Sequence, residues 1–134
     1  MGLPDPQRAR RYVGRGCLVL NSDVLFHPDM LKRLLESPYP DALLVDFRDD
    51  MGEEEMKVVV DDGYVRHLSK DIAPWEAHGE NVGIIKLSPE GAKQLMHIAR
   101  KAYHNKERKL WVPLGIQRLL PARPVRAVPI ENLP

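Results

Sequence analysis

Apolar runs without alternation mark three positions along the chain: "CLVL" at 17–20, the start of "ALLVDF" at 42–47, and "NVGIIKL" at 81–87. Unbroken runs suit strands covered on both faces, which favours a parallel sheet between helices. Helical spacing separates them. Pro28 suits a first turn, and Met30, Leu31, Leu34 and Leu35 follow on one stripe until "SPYP" ends it. Ser88-Pro89-Glu90 supplies an N-cap, a first-turn proline and an early acid. Ala92, Leu95, Met96, Ala99, Ala102 and Tyr103 then recur at three- and four-residue steps, with Arg100, Lys101 and His104 at the C-terminal end that favours cations. A shorter helix is predicted from Pro113 to Leu120. "MKVVVDDGYVRHLS" predicts a hairpin turning at Asp62-Gly63, a pair that tolerates positive φ. "PVRAVPI", 124–130, predicts a last strand near the sheet edge because of its prolines.

The strand–helix–strand rhythm predicts an α/β protein. The strands near 17–20, 42–47 and 82–87 are expected to be adjacent and central, with the 56–68 hairpin extending from the sheet. Residues 1–16, with four arginines, two prolines and repeated glycine, predict a flexible lead-in, leaving 17–134 as one domain.

Composition narrows the function classes. The chain has 134 residues, 43% of them hydrophobic, enough for one real core. A net charge of +1 offers no global field for nucleic acid or an anionic membrane. Cys17 is the only cysteine, so an intrachain disulfide and a thiolate cluster are excluded and a cytoplasmic setting is expected. The start lacks the apolar core of a signal peptide, and no run reaches the ~18 apolar residues of a membrane span.

Candidate chemistry begins at Asp23. Ligands of open α/β sheets sit beyond the carboxyl ends of strands, where an acid either closes a turn or holds Mg²⁺ through oxygen ligands. Lys57 and Lys70 adjoin strand-like stretches; each is either a solvated side chain or a point charge for phosphate. "GENVG", 79–83, reads as a turn or as backbone kept bare for close approach. Trp75 and Trp111 either pack or wall a cationic head group. His27, Asp29 and Glu36 read as ordinary helix-start and helix-surface residues, and "RDDMGEEE", 48–55, as a solvated loop.

The order of the pieces adds what no single one carries. "LVLNSDVLFHPDMLKRLL", "DALLVDFRDDMGEEEMKVVVDDGYVRHLSK" and "GENVGIIKLSPEGAKQL" together resemble the middle of the sugar-phosphate nucleotidyltransferase superfamily. The "EEMKV" and "GE..GI.K.S.EGA" blocks most resemble its choline-phosphate and aminoalkylphosphonate cytidylyltransferases. The resemblance covers about residues 17–130. It implies a three-layer αβα, Rossmann-like fold and transfer of a nucleotidyl group from an NTP, CTP in this branch, to a small phosphorylated acceptor such as phosphocholine, with pyrophosphate released.

Position by position, the resemblance makes Asp23 the Mg²⁺ ligand, with Ser22 where the family has glycine. It makes Lys57 and Lys70 the catalytic lysines, Lys70 facing the acceptor phosphate. Glu80 and Gly83 fall on the acceptor side, and Trp75 and Trp111 could complete the amine's pocket. The family's glycine-rich "LAAGxGxRL" loop, its "PK" lysine and its second metal acid in "EIDxPxDL" have no counterpart here. The expectation is therefore an incomplete member, truncated at both ends, whose isolated activity is in question and whose uncovered sheet favours self-association. A catalytically inactive remnant serving as a binding or structural module is the alternative. A glycosyltransferase of related fold would need Asp-x-Asp, and Asn21 stands where its first acid would be.

Overall fold

The structure is a computed structural model that describes residues 16–20, 27–107 and 112–130. Its strands are β1 (Cys17–Leu20), β2 (Ala42–Phe47), β3 (Lys57–Asp61), β4 (Tyr64–Ser69), β5 (Gly79–Leu87) and β6 (Arg126–Pro129), and its helices α1 (Pro28–Glu36), α2 (Pro89–His104) and α3 (Val112–Leu119). The strands form one sheet in the order β1-β5-β2-β6-β4-β3.

Successive residues of β2 divide between two cores. Leu43 and Val45 join Ala92, Leu95, Val112 and Ile116 beneath α2 and α3, while Ala42 and Leu44 join Leu34 beneath α1. Ile85 and Ile84 of β5 divide in the same way. Both faces are thus covered, which is the three-layer αβα arrangement, and the unbroken apolar runs follow from it.

The caps match the sequence. His27 Nδ1 accepts from Asp29 N–H at 3.1 Å at the start of α1, and Ser88 Oγ accepts from Gly91 N–H at 3.0 Å at the start of α2. Asp62 and Gly63 take φ of 54° and 82°, as a two-residue hairpin turn demands.

Strand directions and positions differ from expectation. β5 runs antiparallel to both β1 and β2, and only β2 and β6 pair in parallel, so the sheet is mixed. Burial on two faces dictates an apolar run whichever way the strand points. β1 is adjacent to β5 as expected but lies at the edge among the described residues, not in the centre. The hairpin is also integral rather than extended: β3 pairs with β5, β4 meets β6 at Tyr64–Arg126, and Val58, Val65 and Leu68 are core residues. β6 consequently lies inside the sheet. Its proline is accommodated because β4 reaches only its first residues, with Ala127 N–H donating to Gly63 O, and Pro129 lies beyond that pairing.

Cys17 packs half-buried against the α2–α3 side, and burial pushes its thiol above the ordinary range. Alkylation needs the thiolate. Iodoacetamide labelling at pH 7.5 should therefore be slower than for a free cysteine and should accelerate as the pH is raised. Rapid labelling at neutral pH would contradict the packing of β1.

Candidate functional site

Four strand ends converge at one end of the sheet. Asp46 and Phe47 of β2 pair with Glu80 and Gly79 of β5, while Lys57 and Val58 of β3 pair with the same two residues from the other side. Lys57 also pairs with Ser69 at the end of β4. β5 therefore begins between β2 and β3. Gly79 permits this, since a Cβ there would lie 2.6 Å from Asp46 O and 2.8 Å from Val45 Cγ1. Gly79→Ala should separate these strands and destabilise the fold by about 2 kcal/mol, read as a lower urea midpoint. An unchanged midpoint would mean that β5 can slide at no cost.

Lys57 is fully buried. Its ammonium donates to Glu53 O at 3.1 Å, Glu55 O at 3.1 Å and Lys70 O at 2.7 Å, which uses its three hydrogens. It ties the acidic loop after β2 to the start of the β4–β5 loop. In this geometry Lys57 positions Lys70 and does not itself reach outward. Lys70 is exposed on the turn after β4. The far end of the same loop is fixed by His78, whose N–H donates to Val58 O and whose Nδ1 accepts from Val60 N–H, both at 2.9 Å. Trp75, 85% exposed, rides between these anchors on a short 3₁₀ turn, Pro74–Glu76.

Glu80 accepts a hydrogen bond from the Arg48 guanidinium. Asp46, Asp50 and Glu55 carboxylates lie 3.7, 3.6 and 4.0 Å from the same group. Burial alone would lower the Arg48 pKa, but Glu80, Asp50 and Asp46 together hold it above its ordinary value. Four carboxylates around one guanidinium leave this end of the sheet strongly acidic, with Lys70 on the neighbouring loop. Arg48 Nε is buried without a hydrogen-bond partner among the described residues.

Sequence reasoning passed over Arg48, although it directly follows a strand at the end where ligands sit. The acidic stretch it opens is more than a solvated loop, because Met51 is buried and Glu55 half-buried. "GENVG" is neither a turn nor a loop; it lies within β5. Gly83 is buried at φ 98° where the β2–β5 register shifts, and its N–H donates to Asn81 Oδ1 at 2.9 Å. Its glycine serves a bulge.

Asp23 and Trp111 lie outside the described residues. Among those described, no three His, Cys, Asp or Glu side chains stand together as a metal shell, and the acids here face Arg48. The fit to the Mg²⁺ that the resemblance implies therefore turns on Asp23. Among the described residues no helix is long and apolar enough to cross a membrane.

No protein-family model and no curated protein matches the chain in sequence. Solved structures do match. The inositol-1-phosphate CTP transferase of T. maritima superposes with a TM-score of 0.64 at 17% identity, over 91% of this chain and 49% of that one. The CTP:phosphocholine cytidylyltransferase of Streptococcus pneumoniae gives 0.57 at 16%, over 86% and 48%. A Bacillus anthracis structure, named for a glucose-1-phosphate thymidylyltransferase and in complex with a sucrose, gives 0.66 at 12%, over 97% and 54%. The chain has the αβα fold of these nucleotidyltransferases and spans about half the length of the solved chains it matches.

Proposed function

We propose that this chain forms the acceptor half of a nucleotidyltransferase that joins a nucleotidyl group from an NTP, CTP in the first instance, to a small phosphorylated amine such as phosphocholine. The observation that supports the reading is the acidic cluster around Arg48 at one sheet end, beside the loop whose start Lys57 holds at Lys70 O. Lys70, its backbone held by Lys57, offers a cation to the acceptor phosphate; Glu80 and its neighbouring acids offer anions to the amine. Such a site favours a zwitterion over a plain sugar phosphate. The exposed indole of Trp75 adds a face for a quaternary ammonium.

In the reaction, an acceptor phosphate oxygen attacks the α-phosphorus, a new P–O bond forms, and the bond to the pyrophosphate leaving group breaks. Lys70 holds the acceptor oxygens and offsets the repulsion between the two anions. Gly83 shapes the strand that carries Glu80. Mg²⁺, for which Asp23 is the proposed ligand, would neutralise NTP phosphate charge when bound.

Amide NMR on the chain tests the acceptor half. Phosphocholine should shift the resonances of Lys70, Glu80 and Gly83 saturably, more strongly than choline or phosphate alone, and Lys70→Ala should weaken it. Phosphorus NMR of the protein carrying this chain, with CTP and Mg²⁺, should then show pyrophosphate with phosphocholine or 2-aminoethylphosphonate. Reaction with glucose 1-phosphate alone would reassign the acceptor to sugars. Saturable binding without turnover would favour a binding module.

A further inference from the structure

A second charged cavity lies elsewhere on the molecule. It opens between α1 and β6, with a volume of about 640 Å³, and is lined by Lys32, Arg33, Tyr39 and Arg126 together with the acids Asp29 and Glu36. That size is ordinary for a small-molecule site. It borders the α1 face of β6 and shares none of its lining with Lys57, Lys70 or Glu80.

Arg126 is the built element. Its guanidinium lies over the Tyr39 ring at 4.6 Å from the centroid and over the Tyr64 ring at 5.2 Å. It also rests against Gly63, where an added side chain would collide with it. Two rings and a bare backbone therefore fix its plane, and among the described residues its guanidinium N–H donors have no hydrogen-bond acceptor. Among the described residues, no ion pair joins Arg126, Lys32 or Arg33 to an acid. Asp29, by contrast, faces His27 at 3.4 Å. Three cations against two acids leave the lining net positive. A planar guanidinium held in place is suited to forked bonding of phosphate oxygens, and the lysine adds a point charge.

We infer that this cavity binds a phosphomonoester of a small organic molecule, its phosphate on the Arg126 fork and its carbon skeleton against the Tyr39 ring and the apolar surface of β6. The site is separate from the proposed acceptor site and does not rest on that reading.

The test is an amide NMR titration of the full chain with inorganic phosphate and with ribose 5-phosphate at fixed ionic strength. Both should shift the amides of residues 32–37, 39 and 126–128 saturably, and ribose 5-phosphate should bind several-fold more tightly because it adds contact with the ring. Arg126→Lys keeps the charge but loses the fork and the stacking, and should weaken binding about tenfold. Lys32→Ala, on the exposed face of α1, should weaken it less and leaves the core intact. Shifts that do not saturate, or equal affinity in Arg126→Lys, would overturn the site. Saturable shifts confined to Lys70, Glu80 and Gly83 would also overturn it, while leaving the proposed function standing.

Discussion

Replacing Lys57 by methionine should lower folding stability by about 3 kcal/mol, although the new side chain is apolar and of similar length. A buried charge is stabilising only relative to the partners arranged around it. Here those partners are the carbonyls of Glu53, Glu55 and Lys70, each within 3.1 Å of the ammonium. Methionine removes the desolvation cost of the charge but leaves three acceptors without a donor. Each orphaned carbonyl costs about 1–3 kcal/mol when water is kept out. Glu53 and Lys70 lie on exposed segments, where water can replace part of the loss, so the sum stays well below the maximum.

The distribution of the effect is the sharper readout. Hydrogen exchange should quicken across 51–56 and 70–78, the two segments that Lys57 joins, while α2 keeps its protection relative to the global value. Phosphocholine binding should weaken in parallel, because Lys70 loses its anchor. A urea midpoint within error of the parent, or acceleration spread evenly over the chain, would show that the ammonium does not hold these loops.

Much of the fold was readable because its causes are local. The His27 and Ser88 caps, the Asp62-Gly63 turn and the apolar stripes of α1 and α2 each arise from residues within a few positions of one another. Two-sided burial was equally visible in "ALLV" and "NVGIIKL", whereas "CLVL", expected to be fully buried, is only half-buried at the edge of the sheet among the described residues. Direction was not visible, since an apolar strand between two helical layers has the same composition parallel or antiparallel. The integration of the hairpin also escaped, because it depends on pairing Lys57 with Glu80, 23 positions apart in the chain. At the candidate site, type and neighbourhood left Lys70 and Glu80 open between a plain surface role and a functional one, and only the resemblance singled them out. Arg48 could be recognised only once the chain had brought Glu80 to it. The burial of Lys57 had no local signal, because its partners are backbone carbonyls, which every residue possesses.

Asp41 illustrates the same limit and leads to the other large effect. It was not singled out in the sequence, yet its side chain is almost wholly buried at the entrance to β2. Its carboxylate accepts from Ser88 N–H at 2.9 Å, from Ser88 Oγ at 3.0 Å and from the Arg123 guanidinium at 2.8 Å. Gly91 leaves room for it, since a Cβ there would collide with Asp41 Oδ1. The acid thus lies at the positive end of α2, beside the hydroxyl that caps that helix, and links it to the segment leading into β6. Asp41→Ala should cost about 3 kcal/mol, near the lower end for breaking a buried pair, because the Arg123 side chain remains 22% exposed and can be rehydrated. Asp41→Asn keeps an acceptor for Ser88 and should cost about half as much, through the lost charge on Arg123 and the helix end. A double-mutant cycle with Arg123→Ala should return a coupling of about 1–2 kcal/mol by urea denaturation. Additive costs would mean that Asp41 acts through Ser88 and the helix alone, and a loss below about 1 kcal/mol for Asp41→Ala would remove it as the link between α2 and β2.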